Sequence, residues 1–533
     1  MKNANDKILF WASFLTLIAA GLGFSMRGAL LKTWGADFHF TQGDLGGIQG
    51  FGLVGFGITI ITLSFFTDRI GYGPLMVLAF LLHLSSGIVT LAATPAFNAY
   101  GKPGAYWCLA AGGLLFSLAN GTCEAVINPL TATLFPKEKT HWLNILHAGW
   151  PGGLVLGAFL GLAFDQIGNV RWEIQMGMFL VPTLVYGVLM VGRRFPTSEA
   201  AAAGVGLKTM LLEFVSPILI LLLVLHALVG AVELGVDSWI QNITGSIMAS
   251  PQYAKILFIW TSGLMFGLRF FAGPIVHKIS PLGLLFVSAV IACTGLLLLG
   301  SSSTSVLSTT VLVCFVAGTI YGIGKTFFWP TMLGVVSERF PRGGALTLGT
   351  IGGIGMLSAG LLGSPSIGYE QDFFAARQLR AVDEPAYERY VARTEDGSIE
   401  KKSFLFFPQV GGLDGAKVAT LADNGEQLAK DIKGLEKSGQ SLSEDKNLYQ
   451  LYTWWQSAKE YEEKDKGPVL DTVVYAGQMA LTVTAAIPAT MALGYLILIF
   501  YFRLRGGYKA EVLVGHAAKD EEFTGGTEGP GEG

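Results

Sequence analysis

The chain has 533 residues, of which 51% are hydrophobic and only 14% are charged, and its mean hydropathy is +0.51. Because soluble proteins carry about 25% charged residues, this composition excludes an ordinary soluble domain and predicts an integral membrane protein. The net charge of −3 gives no indication of nucleic-acid binding. The four cysteines lie in apolar segments without metal-ligand spacing, so we expect neither a metal site nor a disulfide.

Twelve apolar segments are long enough to cross a bilayer, which takes about 20 residues. In chain order they cover 8–31, 47–66, 74–95, 104–135, 142–167, 171–192, 216–244, 253–275, 281–301, 307–337, 344–364 and 470–502. The predicted fold is therefore an all-α polytopic membrane protein. A polar stretch at 193–215 divides the segments six and six, which predicts two six-helix bundles.

The predicted domain organisation follows from these segments. It comprises an N-terminal bundle at 1–192, a cytoplasmic linker at 193–215, a C-terminal bundle at 216–364 and 470–505, an insert at 365–469 and a cytoplasmic tail at 506–533. Lysine and arginine are concentrated in the short loops on the side of the linker, so both termini are predicted to be cytoplasmic. The Gly- and Glu-rich end of the tail is predicted to be disordered.

The polar insert at 365–469 separates the last two spanning segments, and its parity predicts that it is extra-cytoplasmic. Its aromatic residues allow two interpretations. Tyr449, Tyr452, Trp454 and Trp455 could form a lip that stacks on carbohydrate, or they could anchor the insert at the membrane surface.

Six ionisable side chains fall inside the apolar segments: Arg27, Glu124, Glu233, Asp237, Arg269 and Lys325. A charge near the bilayer centre costs roughly 2.5–3.5 kcal/mol on insertion scales, so such residues face a partner or a water-filled cavity. Two of them occupy matching positions, because Glu124 lies five residues before Pro129 and Lys325 lies five residues before Pro330. This arrangement indicates a transport cavity between two related bundles.

The loop after the second segment reads Ser64-Phe-Phe-Thr-Asp68-Arg69-Ile-Gly71. It resembles the signature Gly-x-x-x-Asp-Arg-x-Gly of the major facilitator superfamily, with serine at the first glycine. The resemblance implies twelve helices in two bundles and a gating or latch function for Asp68 and Arg69. We expect Arg269, near the degenerate second copy of this loop, to act as a latch as well.

Shorter motifs resemble the fucose:proton symporter family, which includes glucose/galactose carriers. They are Glu124-Ala-Val-Ile-Asn128-Pro129, the run Val229-Gly230-Ala231-Val-Glu233, Phe328-Trp329-Pro330-Thr331 and Leu143-Asn144. The resemblance implies proton-coupled sugar transport with Glu124 as a proton carrier. The chain departs from the family at Arg27, where those symporters have an aspartate in helix one, and at Lys325.

The candidate site residues follow from their chemistry. Glu124 and Glu233 are candidates for proton coupling, because a carboxyl group in a low-dielectric environment takes up a proton more readily than in water. The alternative for Glu124 is a permanent ion pair with Arg27 or Lys325. The candidates for substrate binding are Arg27, Asn128, Asn144, His147, Gln241, Lys325 and Trp329. Asp237 lies four residues after Glu233 and shares its helix face.

The predicted function is secondary active transport of a sugar or sugar-derived solute by alternating access, with H⁺ as the coupling ion and Na⁺ as the alternative. Arg27 and Lys325 favour a second candidate, an organic anion such as a hexuronate. A transporter-derived sensor or scaffold that uses the insert is a third. We expect no cofactor and no enzymatic activity. The expected partners are the solute and membrane lipid, for a monomer in a bacterial inner membrane.

Overall fold

A computed structural model describes residues 4–38, 42–168, 170–394, 396–437 and 441–511. The end of the predicted cytoplasmic tail, 512–533, lies outside the described residues. The described chain is almost entirely helical, and its one sheet pairs the short strands Lys401–Lys402 and Val410–Gly411. A helical backbone is expected for so hydrophobic a chain, because a helix satisfies its own backbone polar groups in lipid.

Helices one to six lie before the linker. Their bounds are Ala4–Asp37, Gln42–Ile70, Tyr72–Leu91, Ala93–Leu134, Lys139–Ile167 and, for helix six, Trp172–Gly177 with Leu180–Met190. The linker holds the short helices Glu199–Ala202 and Leu207–Leu212 and the 3₁₀ turn Glu213–Val215.

Helices seven to twelve follow, and most of them are interrupted. Helix seven is Pro217–Gly230, Ala231–Gly235 and Val236–Ile247; helix eight is Pro251–Arg269 and Ala272–Ile279; helix nine is Pro281–Gly300; helix ten is Leu307–Lys325 and Phe328–Arg339; helix eleven, after the 3₁₀ turn Pro341–Gly343, is Gly344–Ser358, Ala359–Gly363 and Ser364–Val382; helix twelve is Glu462–Thr484 and Ala486–Leu504.

Each of the twelve predicted segments corresponds to one of these helices, which confirms the predicted fold class. Ten stretches of the described chain are long and apolar enough to cross a membrane, and helix eight becomes an eleventh if its two parts, bent by 65°, form one span. Helix two, Gln42–Ile70, lies at the remaining predicted segment.

The start of helix one, the linker and the start of helix eleven lie at one end of the helix assembly, which we call the linker end. Asn5 Nδ2 donates to Arg194 O at 2.8 Å, and Tyr508 Oη donates to Glu338 Oε2 at 3.1 Å. Helix eleven starts here and runs to the opposite end, the insert end. Placement relative to the cytoplasm remains a prediction.

The two halves approach closely along helices two and eleven. A Cβ added at Gly349 would lie 1.5 Å from Ser64 Oγ, so only glycine allows this contact. Helix five packs against helices eight and ten in the same way across the interface. Close approach through small residues is the usual means of helix association in membranes, where burial of apolar surface drives little.

The insert is shorter than the predicted range 365–469, because helix eleven continues to Val382 and helix twelve begins at Glu462. Between them the chain forms four helices, and these are Glu384–Tyr390, Gly415–Ala422, Glu426–Lys437 and Lys446–Ala458. Arg389 binds both carboxylate oxygens of Asp465, at 2.6 and 2.7 Å, and so ties the insert to helix twelve.

Two of the four aromatic residues singled out in the sequence, Trp454 and Trp455, form neither a lip nor a surface anchor, whereas Tyr449 is 49% exposed. Trp455 is 7% exposed, and Trp454 packs edge-on against Tyr390 and donates to Arg389 O at 3.0 Å. These side chains build the core of the insert. Both sequence interpretations were wrong for the tryptophans, because a small folded insert needs its own apolar core.

Candidate functional site

Three of the ionisable residues lie where a helix is irregular. Glu233 is in the π-helical turn Ala231–Gly235 of helix seven. Arg269 is the last residue before the bend in helix eight, and Lys325 is the last residue before the break in helix ten. Irregular helical turns free backbone carbonyls to bind other groups, which is why they recur at functional sites.

Arg269 connects the two halves of the molecule. Its Nη2 pairs with Glu233 Oε1 at 3.1 Å, its Nε donates to Thr326 O at 2.8 Å in the break of helix ten, and its Nη1 donates to His147 O at 2.6 Å. The first two partners belong to the C-terminal half and the third belongs to helix five. Arg269 is buried, and all three of its nitrogens bind acceptors, as a buried guanidinium requires.

A second ion pair lies one helical turn beyond Glu233. Lys325 Nζ donates to Asp237 Oδ1, and the ring of Tyr321 lies 5.4 Å from Nζ. Tyr321 Oη donates to Val232 O at 2.7 Å, a carbonyl in the π-helical turn. Glu233 and Asp237 bind different bases, because Glu233 pairs with Arg269 and Asp237 pairs with Lys325.

Glu124 sits in a chain of neutral groups in the N-terminal half. Asn128 Nδ2 donates to Glu124 Oε2 at 2.6 Å, and His147 Nε2 lies 2.8 Å from Asn128 Oδ1. Because the Asn128 carbonyl can only accept, His147 Nε2 carries the proton in this arrangement. The structure therefore brings Glu124, Asn128 and His147 together, and the His147 carbonyl joins them to Arg269.

Arg27 lies apart from this network. Its Nη2 donates to Ser86 Oγ at 2.9 Å and Thr90 Oγ1 at 3.3 Å, and its guanidinium lies 4.2 Å from the Phe116 ring centre and 5.5 Å from that of Phe179. Among the described residues no acid lies within ion-pair distance of Arg27. The predicted alternative of a Glu124–Arg27 pair is not formed here.

Three predicted substrate-binding residues occupy different places. Asn144 is buried and donates to Thr331 Oγ1 at 3.1 Å, so it bridges helices five and ten. Trp329 packs against His226, with ring centres 4.6 Å apart. Gln241 is exposed, one turn beyond Asp237 towards the insert end.

The predicted latch residues Asp68 and Arg69 have different surroundings. Asp68 Oδ2 accepts from the Ala345 amide at 3.3 Å, which connects helix two to the start of helix eleven. Gly344 there has a φ of +52°, a conformation that glycine adopts at little cost. Arg69 is exposed, and no hydrogen bond or ion pair involves it in the part of the chain described.

Sequence reasoning missed the other contacts that close the linker end. Thr140 Oγ1 donates to Glu338 Oε1 at 2.7 Å, and Lys139 Nζ pairs with Glu199 Oε2 at 2.8 Å and donates to Ser337 O at 3.1 Å. These buried contacts join helix five to helix ten and the linker. Lys139 counted only as a topology signal in the sequence, and Glu338 followed a segment predicted to end at 337.

Exposure across the site differs between the two ends. Glu233 is 4% exposed, the Asp237 side chain is 18% exposed and Gln241 is exposed, whereas Thr140 and Glu338 at the linker end are at most 1% exposed. The structure is therefore closed at the linker end, and the ionisable cluster is more accessible towards the insert end.

Known folds share this architecture. The E. coli fucose:proton symporter superposes with a TM-score of 0.55 at 14% identity, covering 68% of this chain and 92% of that chain. A proton:xylose symporter bound to 6-bromo-6-deoxy-D-glucose gives 0.55 at 15% identity over 73% and 90%. The human organic anion transporter gives 0.52 at 14% identity over 68% and 93%. These likenesses show the fold alone.

No curated protein matches the chain in sequence. The sequence profile of the Major Facilitator Superfamily, however, matches residues 13–364, which is more than half of the chain. That match covers the signature loop at Asp68, the N-terminal half from residue 13 onwards and the charged irregularities of helices seven, eight and ten. The chain therefore belongs to the Major Facilitator Superfamily, whose members are transporters and not enzymes.

Proposed function

We propose that this transporter moves a sugar or sugar-derived neutral solute together with a proton. The observation that carries the proposal is the chain from Glu124 through Asn128 and His147 to Arg269 and Glu233. It places one acid among neutral hydrogen-bonding groups and connects that acid to the opposite half through a single arginine.

The pairing of charges supports a neutral solute. Arg269 pairs with Glu233, and Lys325 pairs with Asp237. At these two bases a solute anion would have to displace a carboxylate, which leaves a poorly solvated acid behind at considerable cost. A sugar needs hydrogen-bond donors and acceptors with an aromatic wall. His147, Asn128 and Trp329 offer such groups.

Proton coupling is assigned to Glu124 in preference to Glu233. Glu124 accepts a hydrogen bond from a neutral amide, and His147 Nε2, 3.9 Å from Glu124 Oε2, pairs with it only when the imidazole is charged, so protonation of Glu124 breaks no permanent ion pair. Protonation of Glu233, in contrast, would leave Arg269 charged and without its acid. Glu233 thereby sets the position of Arg269, and the coupled proton resides on Glu124.

Transport requires the two halves to rock around this site. In the present state Arg269 donates a hydrogen bond to His147 O, and Asn144 donates one to Thr331 Oγ1, both across the interface between the halves. Opening of the linker end must break the Thr140–Glu338 and Asp68–Ala345 contacts. Solute and proton would enter from the insert end and leave after these contacts open.

Arg27 favours a second candidate, an organic anion such as a hexuronate. Its charge has no acid partner among the described residues, and its buried Nη1 has no hydrogen-bond partner. The fold of the human organic anion transporter is similar as well. Since the Arg27 guanidinium packs between Phe116 and Phe179, a solute anion would reach it only after those rings move.

A thermal-shift screen of the purified protein separates the two candidates, because binding to the folded state raises the unfolding temperature. Neutral hexoses and disaccharides are compared with hexuronates at about pH 5.5 and about pH 7.5, on either side of the usual histidine range. Stabilisation by a neutral sugar, lost in Asn128→Ala, supports the proposal. Stabilisation by hexuronates alone, lost in Arg27→Gln, contradicts it.

A further inference from the structure

The insert carries an exposed aromatic loop, Phe404–Phe407, between its two short strands. Leu405 is 65% exposed, Phe406 is 87% exposed and Phe407 is 46% exposed. Three adjacent large apolar side chains on one turn are unusual in contact with water, and such patches mark a binding surface. They contribute nothing to the insert core, which lies around Trp455.

The aromatic loop is held in place and not merely disordered. The rings of Phe404 and Phe407 lie 6.3 and 5.8 Å from that of Tyr369 on helix eleven. Tyr369 Oη donates to Pro408 O at 2.9 Å, and Phe373 stacks on the other side at 6.2 Å. Tyr369 therefore fixes the position of the loop relative to helix eleven.

The position of Tyr369 places the loop relative to the bilayer. Helix eleven starts at Gly344 at the linker end, and Tyr369 lies 25 residues further along it. With a rise of 1.5 Å per residue, Tyr369 is about 38 Å from the start of the helix. This exceeds the hydrocarbon thickness of about 30 Å, so Tyr369 lies at the depth of the headgroup layer at the insert end.

Basic residues flank the loop on the side of the first strand. Lys401 and Lys402 are exposed, and Lys402 pairs with Glu400 at 3.3 Å. Aromatic side chains beside lysines are the typical composition of segments that bind the membrane interface, where rings enter the acyl boundary and cations meet lipid phosphate.

We propose that the aromatic loop inserts into the interfacial layer of the bilayer and anchors the insert to the membrane. The occupant of this surface is the lipid bilayer itself, since Tyr369 holds the loop at the depth of the headgroup layer and its exposed rings lie beside exposed lysines. This inference depends on the spanning fold alone and not on which solute is carried.

Depth-dependent quenching tests the anchor. In a chain whose four native cysteines are replaced by alanine, Phe406→Cys is labelled with an environment-sensitive fluorophore and reconstituted into phosphatidylcholine–phosphatidylglycerol vesicles containing headgroup-region nitroxide lipids. The matched control is Val382→Cys, which is 58% exposed at the end of helix eleven, about 20 Å beyond Tyr369.

Quenching at position 406 at least about twice that at position 382 is expected, with blue-shifted emission. Equal quenching at the two positions would overturn the proposal. So would emission at 406 that responds to solute and not to nitroxide lipid, because the loop would then cover the cavity mouth. If Phe406→Cys fails to fold, Leu405→Cys repeats the measurement on a neighbouring exposed side chain.

Discussion

Away from the linker end, the two halves differ in how they accommodate their buried charges. The C-terminal half forms two acid–base pairs, Glu233–Arg269 and Asp237–Lys325, at irregular turns of its helices. The N-terminal half holds Glu124 among neutral groups and surrounds Arg27 with hydroxyls and aromatic rings. Paired charges resist a change of protonation, whereas Glu124 can change its charge without stranding a base. This contrast underlies the proposed division of work, in which the charges of one half hold the structure and the acid of the other half couples the proton.

The largest expected effect comes from removing the titratable group of the N-terminal half. With one proton per solute, a pH difference of about one unit supports roughly tenfold accumulation, and Glu124→Gln should abolish that accumulation while leaving solute exchange. Uptake and counterflow in proteoliposomes measure both quantities. Glu370→Gln, at a partly buried acid outside the network, serves as the control and should keep full accumulation. The assignment of the coupled proton to Glu124 would be refuted if the Glu124→Gln variant still accumulated solute when driven by a proton gradient or by a Na⁺ gradient.

In the C-terminal half, loss of one partner should destabilise the fold. Arg269→Met leaves Glu233 buried without its base, which costs about 3–5 kcal/mol of unfolding free energy. Adding Glu233→Gln should recover part of that loss, since no charge is then left alone. Denaturant unfolding in detergent measures both variants, with Lys255→Met, at an exposed position of the same helix, as the reference. Additive losses in the double variant would show that the two side chains do not act as a pair.

Between the halves, Glu338→Gln should weaken the Thr140–Glu338 hydrogen bond and so destabilise the closed state of the linker end. A hydrogen bond to a charged group is worth about 1.5–3 kcal/mol, so the open population should rise about tenfold or more. The rate of alkylation of Ser337→Cys, 4% exposed in the closed state, reports this opening. Thr140→Val removes the same bond from the other side, and combining the two should add little. An unchanged alkylation rate would mean that this contact does not hold the end closed.

A smaller effect is expected in the insert, far from the site. Asp383 accepts from the Ala386 amide at 2.9 Å, and this hydrogen bond holds the pKa of the Asp383 carboxyl below its usual range. Its stabilising contribution is therefore present above the unfolded pKa, near 4, and is lost as pH falls through the lowered value. Asp383→Ala should destabilise the helix start by about 1 kcal/mol, measured by amide exchange of Glu384–Tyr390. Asp383→Asn keeps a cap, and strong acid sensitivity in that variant would contradict the mechanism.

Hydropathy predicted the order of the long helices because lipid selects long apolar stretches, and ten of them, or eleven with the bent helix eight, are long and apolar enough to cross a membrane in the described chain. It could not locate the end of helix eleven, since Ser364–Val382 leaves the bilayer and becomes polar while its backbone stays helical. The same limitation moved the start of helix twelve from 470 to Glu462. Hydropathy patterns therefore indicate whether a segment lies in lipid or in water more reliably than they indicate where its helix begins and ends.

For the candidate site, the sequence indicated which charges were costly but not what would satisfy them. Arg27 is accommodated by Ser86, Thr90 and Phe116, none of which is distinctive in an apolar segment. The partners of Arg269 include two backbone carbonyls, which no residue type encodes. Lys325 pairs with Asp237, a contact between helices ten and seven that the matching sequence positions of Lys325 and Glu124 did not indicate.

Helix eleven has a mechanical consequence. It runs from Gly344 beside Asp68 to Val382 at the base of the insert, and the Arg389–Asp465 pair fastens the insert to helix twelve as well. The insert is thus attached rigidly to the C-terminal half, so in the proposed rocking mechanism a small rotation of that half at the midplane becomes a larger displacement of the insert. A fluorophore on the insert would read out each cycle, and a binder that clamps the insert to the opposite half would stop the cycle without touching the solute pathway.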